Sequence, residues 1–290
     1  MRKMLLAVLM AVLPAHALAQ SMTAAKVAAL PSTPAYIRAS YGFGPIQVGE
    51  LRLPPGKGPF PVAIVIHGGC YLKRMADMKI MSPLATALTA RGFATWNIEY
   101  RALGDAGSGW PGTFEDWAMA ADHLRWLAKT EPLDLTRVIA VGHSEGGHAA
   151  TWLAARPQLA GGLHGDDPVP IKAVVNIDGP EDPALYQPHQ REICDGQDVL
   201  DQMLGGSPQP AADHWRDGNP AQRLPLHAHQ LLVSSALMTG PAADAYAARA
   251  RAAGDAVDVL KLDAGHFDPI APGTPAWKQV EDFIVDKALK

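Results

Sequence analysis

The chain has 290 residues, of which 48% are hydrophobic and 19% are charged. This composition is typical of one large globular domain with a substantial core, and it excludes a disordered or membrane-embedded class of protein. The formal net charge at pH 7 is −4, and basic residues do not cluster beyond the N-terminus, so we expect no nucleic-acid partner.

Residues 1–19 have the pattern of a secretory signal peptide. Two basic residues precede an apolar run over residues 4–13, and a small-residue cleavage site ends at Ala19. The apolar run is too short to span a bilayer, so cleavage after Ala19 is favoured over an uncleaved anchor. We therefore expect a mature domain over residues 20–290 that is periplasmic or secreted, with no stable membrane insertion.

Strand-like and helix-like segments alternate along the mature chain. An N-terminal hairpin is expected over residues 35–53, and later strands are predicted from short apolar runs over residues 62–66, 138–141, 173–177, 230–235 and 257–262. Helices are predicted over residues 83–91, 113–129 and 149–155. Such alternation indicates an α/β fold with a mostly parallel central sheet and helices on both faces.

The second of these helices carries two further local predictions. Thr113 is expected to be its N-cap, with Asp116 three residues on in an arrangement like a capping box. Ala118, Leu124 and Leu127 fall at helical spacing and are predicted to face the core.

The strand predicted over residues 62–66 is followed by His67, two glycines and Cys70. Glycines let the backbone approach a bound group closely, as an oxyanion hole requires of its N–H donors. We expect the N–H groups of Gly69 and Cys70, together with that of Glu145, to be these donors. His67 is expected to orient the loop, and an ordinary glycine-rich turn is the alternative interpretation.

Residues 142–146 form a G-x-S-x-G pentapeptide between a predicted strand and a predicted helix. A nucleophile elbow needs this context, because the residues that flank the serine must lack side chains where the strand turns sharply into the helix. The pattern makes Ser144 the candidate nucleophile. The next residue, Glu145, is expected to contribute only its N–H group.

His266 follows the last predicted strand on a short turn near the C-terminus. In that position it is a candidate general base, which would take the proton from Ser144 and return it to the leaving group. A solvated surface histidine is the alternative.

These motifs resemble those of α/β-hydrolases, in the group that holds bacterial carboxylesterases, feruloyl-esterase-like enzymes and kynurenine-formamidase-like enzymes. The similarity covers most of the mature chain and rests on His67-Gly68-Gly69, Glu99-Tyr100-Arg101, residues 110–116, residues 142–148 and residues 265–268. The resemblance implies an α/β-hydrolase fold with a small cap insertion, and a serine, an acid and a histidine that follow one another in that chain order.

The chain departs from this group at the catalytic acid, which most members carry just after the penultimate strand. The loop after residues 230–235 has no carboxylate, and the first one downstream, Asp244, is expected to lie in a helix. Asp178 follows the strand over residues 173–177, which is where pancreatic-type lipases carry their acid. We favour Asp178 over Asp244, and the absence of a working acid is the third alternative.

Residues 180–225 are rich in Pro, Gly, His and Asp and interrupt the regular alternation. The resemblance predicts a cap-like insertion over the active site, with Tyr186, Met203, Leu204 and Trp215 as candidate pocket residues. The alternative is a surface excursion that these four side chains pack against the domain.

The chain has only two cysteines, Cys70 and Cys194, which excludes a disulfide scaffold and leaves open whether the two pair. There is no H-E-x-x-H motif, and His227 and His229 lack a carboxylate motif at a suitable separation, so no metal is expected. The Gly-x-Gly at residues 42–44 is too loose for a dinucleotide site, and no cofactor is expected. Most of the other histidines are predicted to be surface or packing residues.

The sequence therefore predicts a secreted serine hydrolase that cleaves a carboxylic ester or a related small acyl substrate through an acyl-enzyme. Ser144 would attack, His266 would move the proton and Asp178 would orient His266. An amidase, formamidase or peptidase of the same fold is an alternative within this class. A non-catalytic binding protein on a hydrolase scaffold is the second class, because the usual loop lacks an acid.

Overall fold

The computed structural model describes residues 21–289, which fold around one eight-stranded sheet. The spatial order is β1-β2-β4-β3-β5-β6-β7-β8, and the strands are β1 Ile37–Ser40, β2 Val48–Arg52, β3 Phe60–Ile66, β4 Ala94–Ile98, β5 Leu133–His143, β6 Ala173–Ile177, β7 His229–Ser234 and β8 Val257–Lys261. β2 is antiparallel to β1 and β4, whereas every other neighbouring pair is parallel. The predicted hairpin and the predicted α/β class with a mostly parallel sheet are both confirmed.

Helices cover both faces of this sheet. They are α1 Ala24–Ala28, α2 Ser82–Ala90, α3 Gly112–Asp122, α4 Leu124–Leu127, α5 Glu145–Ala155, α6 Pro183–Tyr186, α7 Gln190–Ile193, α8 Val199–Met203, α9 Ala212–Gly218, α10 Gly240–Ala253 and α11 Pro275–Lys287. Side chains alternate between the faces of a strand, so Ile64 of β3 packs in the cluster with α3 and α5, and Val65 packs with α2 and α11. Both faces are buried, which is why the central strands are continuous apolar runs.

The parallel strands place the candidate residues at one edge of the sheet. β3 leads into the His67 loop, β5 into Ser144, β6 into Asp178 and β8 into the turn that carries His266. Because the carboxyl ends of parallel strands meet at the same edge, residues far apart in sequence lie close together there.

Within residues 21–289, no helix is both long and apolar enough to cross a membrane. The predicted signal peptide, residues 1–19, lies outside the described part of the chain.

The helix predicted to start at Thr113 is divided, and its predicted cap is wrong. α3 begins one residue earlier, and α4 follows after His123. The Thr113 hydroxyl donates to the Arg101 carbonyl oxygen at 2.6 Å. The buried Asp116 carboxylate accepts from the Arg101 guanidinium at 2.7 and 2.8 Å. Tertiary contacts with Arg101 therefore take both side chains away from local capping.

Candidate active site

Ser144 lies at the sharp turn between the end of β5 and the start of α5. Its backbone has φ of 56° and ψ of −129°, a region that non-glycine residues rarely adopt. The chain is so close here that a Cβ added at Gly142 would lie 1.8 Å from the Gly146 carbonyl oxygen, and one at Gly146 would lie 2.3 Å from that of Ile66. The pentapeptide thus has the geometry and strain of a nucleophile elbow.

Asp178 and His266 come together although 88 residues separate them. Asp178 follows β6 and His266 follows β8, so the same edge of the sheet receives both. His266 Nδ1 lies 2.7 Å from Asp178 Oδ2. With a carboxylate at Nδ1, the ring holds its proton there and leaves Nε2 as the basic nitrogen.

The fully buried Asp178 carboxylate also accepts four backbone N–H groups from the loop after β7. The donors are residues 235–238, at N···O distances of 2.8 to 3.1 Å. Burial raises the pKa of Asp178, but the hydrogen bond and charge of His266, together with the loop N–H groups, outweigh burial and lower it overall. The loop expected to carry the acid therefore binds the acid of the neighbouring strand.

Asp244 is placed elsewhere. It lies in α10, pairs with Lys261, and its side chain is 57% exposed. Of the two carboxylates that the sequence offered, the structure brings Asp178 to His266.

His143, the last residue of β5, supports His266 from another strand end at the same edge of the sheet. Its Nε2 lies 2.8 Å from the His266 carbonyl oxygen, and the two ring centroids are 4.4 Å apart. Burial, followed by the charge of His266, lowers the pKa of His143 to about 3. The ring is therefore neutral, and its Nε2–H donates to that carbonyl. A surface or packing role, predicted for most of the other histidines, does not include this contact of His143.

The Glu145 side chain contradicts the prediction that only its N–H matters. Its buried carboxylate accepts the N–H groups of Gly69, Cys70 and Tyr71 at 2.5, 2.7 and 2.8 Å. These three residues have φ of 137°, 56° and 58°, a left-handed stretch that turns successive N–H groups inward. The N–H groups of Gly69 and Cys70, predicted to be oxyanion donors, are thus engaged by Glu145. Burial raises the pKa of Glu145 despite these hydrogen bonds.

His67 anchors the start of the same loop. Its Nδ1 lies 2.8 Å from the Gly68 carbonyl oxygen, and its Nε2 lies 2.8 Å from Glu99 Oε1. Burial opposes the charged form, but Glu99 outweighs burial and raises the pKa of His67 overall. Both nitrogens face oxygen acceptors, so the imidazolium form satisfies both. The Tyr100 hydroxyl also donates to the His67 carbonyl oxygen at 2.8 Å.

His148 connects the other end of the loop to Gly218, which lies within the segment predicted to form the cap. The Tyr71 hydroxyl lies 2.8 Å from His148 Nδ1, and His148 Nε2 lies 2.7 Å from the Gly218 carbonyl oxygen. Burial lowers the pKa of His148 to about 4, so the ring is neutral, donates to Gly218 and accepts from Tyr71. α5 begins with a run of small residues that only Glu145 and His148 interrupt. This interruption is the sequence signal that could have identified both residues.

Two cavities lie beside Ser144. The larger is a cleft of about 380 Å³ that His266 also lines, mostly with apolar neighbours such as Met75 and Phe267. The smaller is a pocket of about 40 Å³.

Cys70 and Cys194 form a disulfide with a Cα–Cα distance of 5.6 Å, which answers the question the sequence left open. The bond ties the loop after β3 to the residue that follows α7.

The segment over residues 180–225 forms the short helices α6 to α9. Tyr186 lines the small pocket, as predicted. Met203, Leu204 and Trp215 are instead buried in the main core cluster and are absent from the described linings of both cavities. The packing interpretation therefore applies to three of the four candidates.

Among residues 21–289, no group of three or more histidine, cysteine or acidic side chains is placed to hold a metal ion. His229, one of the two histidines considered for a metal, pairs with Asp258 at 2.8 Å.

The mostly parallel sheet, with a serine elbow after one strand and an aspartate–histidine pair from two others, defines an α/β-hydrolase fold. The family model described as BD-FAE matches residues 50–228, and the chain belongs to that family. The comparison with curated proteins gave no match.

Solved structures of esterases share this fold. A truncated carbohydrate esterase from gut microbiota has a TM-score of 0.71 at 17% identity, over 89% of this chain and 98% of that one. Bacterial heroin esterase has a TM-score of 0.68 at 20% identity, over 84% and 80%. A bifunctional GH43-CE protein of Bacteroides eggerthii has a TM-score of 0.68 at 20% identity, over 86% of this chain, which spans 37% of that protein. Identities this low show the fold alone.

Proposed function

We propose that the protein is a serine hydrolase that cleaves a carboxylic ester through an acyl-enzyme. The observation that carries this proposal is the 2.7 Å contact between His266 Nδ1 and Asp178, in a cleft that His266 shares with the strained Ser144. Similar folds are described as carbohydrate esterase and heroin esterase, which supports an ester over an amide.

In the proposed reaction, Ser144 Oγ attacks the ester carbonyl carbon while His266 Nε2 takes the hydroxyl proton. The tetrahedral intermediate then breaks its bond to the alcohol oxygen, which receives that proton from His266. Water, activated in the same way, hydrolyses the acyl-serine. Asp178 stays ionised throughout because its pKa is lowered overall, and it stabilises the imidazolium that forms.

The oxyanion of this intermediate would form at the N-terminus of α5, where the Glu145 N–H and the helix dipole are favourable. Gly69 and Cys70 are the other proposed donors. Each N–H now binds the Glu145 carboxylate, so it must be shared with the oxyanion or released to it.

Hydrolysis of p-nitrophenyl acetate tests the proposal. Ser144→Ala is expected to lower kcat by about 10⁶-fold, to the level of background, because the nucleophile is lost. Circular dichroism checks that the variant is folded. A folded Ser144→Ala protein with an unchanged rate would favour the binding-protein alternative.

We also propose that residues 1–19 direct export and are removed. The basic and apolar N-terminal pattern supports this, as does the Cys70–Cys194 bond, because disulfides persist in oxidising compartments. Intact-mass analysis of the protein from a bacterial periplasmic fraction should give a chain that begins at Gln20. A full-length chain confined to the cytoplasm would contradict it.

A further inference from the structure

The two cavities beside Ser144 are suited to different parts of an ester substrate. His266 lines the cleft of about 380 Å³ and is absent from the described lining of the pocket of about 40 Å³. His266 must protonate the leaving alcohol. The alcohol therefore belongs in the cleft beside His266, and the acyl chain belongs in the small pocket.

The small pocket limits the length of that acyl chain. One water molecule needs roughly 10–15 Å³ of such space, so a volume of about 40 Å³ suits the two or three carbon atoms of a short acyl chain. Ile193, Val199, Leu200 and Leu237 give the pocket apolar walls. An acetyl or propionyl group fits these dimensions, and a longer chain does not.

Two polar oxygen atoms in the pocket lining already have partners. The Tyr186 hydroxyl donates to Glu181 at 2.6 Å, and Gln190 Oε1 accepts the Leu200 N–H at 2.7 Å. Neither oxygen atom needs a polar acyl substituent to satisfy it. The interior is thus suited to an unsubstituted alkyl chain.

The Cys70–Cys194 disulfide lies in the wall of this pocket. Both cysteines line the pocket, and Cys70, Ile193 and Leu237 also line the larger cleft. These three residues therefore separate the two spaces, and we call them the partition. Cys194 is 5% exposed and packs in the core. The bond therefore fixes the partition to the core through a residue 124 positions away from Cys70.

We propose that this disulfide is a specificity determinant, which holds the partition in place and restricts the enzyme to esters of short, unsubstituted acyl groups. The proposal rests on the esterase function proposed above. The cleft, about 380 Å³, accepts a much larger alcohol.

The test compares kcat/KM for p-nitrophenyl acetate and p-nitrophenyl octanoate. For the wild type we expect a preference for acetate of about 100-fold or more, since one methylene in a hydrophobic pocket changes kcat/KM by about tenfold or more and octanoate has six more than acetate. Cys194→Ala removes the covalent bond that holds the partition in place. The ratio of its kcat/KM values for acetate and octanoate is expected to fall by about tenfold or more.

Met75→Ala is the matched control, because Met75 is 42% exposed and lines the cleft but is not part of the described pocket lining. Its ratio should equal that of the wild type. If Cys194→Ala does not fold, the wild type is assayed in dithiothreitol, which supplies two electrons and two protons to convert the disulfide into two thiols. The ratio should fall there as well.

The outcomes separate this inference from the function on which it rests. Equal rates for acetate and octanoate in the wild type would overturn the acyl-pocket assignment and leave the esterase intact. An unchanged ratio in the variant, or in the reduced enzyme, would overturn the role of the disulfide. Failure of the wild type to hydrolyse any ester would overturn both proposals.

Discussion

At the scale of single residues, the proposed mechanism gives the Asp178 carboxylate an electrostatic task, because His266 Nδ1 lies 2.7 Å from it. An asparagine would keep its shape and lose the charge that stabilises the imidazolium. We expect Asp178→Asn to lower kcat for ester hydrolysis by about 10⁴-fold, the effect known for a lost triad acid. Steady-state kinetics with a p-nitrophenyl ester measure this change.

Asp244→Asn is the matched control for Asp178→Asn. Asp244 is exposed and pairs only with Lys261 among the contacts described for it. Its replacement is expected to change kcat by no more than about twofold, as for most surface substitutions. A large loss in Asp244→Asn with little change in Asp178→Asn would move the acid to the segment after β7.

Glu145 is a positioning residue in this account, because it acts through the N–H groups of the loop after β3. Glu145→Ala would leave the N–H groups of Gly69, Cys70 and Tyr71 without their acceptor. We expect kcat to fall by about 10²- to 10³-fold, the range for lost oxyanion stabilisation, with KM little changed. Kinetic measurement of kcat and KM separately checks this split.

Glu145→Gln distinguishes positioning from a purely structural role. The amide keeps one oxygen that accepts N–H groups, so it should recover much of the kcat lost in Glu145→Ala. Wild-type kcat in the alanine variant would contradict the account. So would an equal loss in both variants when both are folded by circular dichroism.

Ser144 and His266 could be proposed from sequence because each lies in a local pattern: a pentapeptide between a strand and a helix, and a strand-end turn. The N–H partners of the Glu145 carboxylate could not be predicted, because they lie 74 to 76 residues away. The position of Asp178 could be predicted from sequence, whereas its contacts required the structure. Its strand end was visible in sequence, but its N–H donors in residues 235–238 appear only when β6 and β7 pair.

At the scale of elements, the strands were predictable because each is an apolar run buried on both faces. The ends of α3 were not, because Arg101 takes the side chains of Thr113 and Asp116 into tertiary contacts. The helices α6 to α9 are each four to seven residues long. Helices this short show little periodicity for a sequence pattern to reveal.

The loop after β3 has an anchor at His67 whose strength depends on pH. The pKa of His67 is raised in the folded state, mainly because Glu99 outweighs burial. Its stabilising contribution is therefore full below the ordinary histidine pKa of about 6.5 and is lost as the pH rises through the folded-state pKa. We expect the wild type to exceed His67→Gln in free energy of unfolding most at acidic pH, and progressively less above it.

Urea unfolding from about pH 5.5 to about pH 9 measures that difference. His189→Gln is the control, since His189 is 64% exposed and its difference from wild type should stay small throughout. A His67→Gln difference that is constant or grows as the pH rises would contradict the imidazolium form of His67.

At the scale of the whole molecule, the order of strands and helices along the chain agrees with the topology of the sheet. The alternation of strands and helices predicts a parallel sheet, and a parallel sheet gathers the ends of β3, β5, β6 and β8 at one edge. The sequence indicated these strand ends but gave no cavity dimensions. The volumes of the cleft and the pocket depend on how α7, α8 and the disulfide pack over Ser144, and such packing is not encoded in any local pattern.

The most direct test of the central claim is intact-mass analysis of a protein that comprises residues 20–290, after exposure to a fluorophosphonate. An activated serine forms a covalent adduct with this reagent, whereas an ordinary serine does not. We predict rapid formation of a single adduct on the wild type and none on Ser144→Ala. A folded wild-type protein that stays unlabelled, or a Ser144→Ala protein that is labelled equally fast, would contradict this prediction.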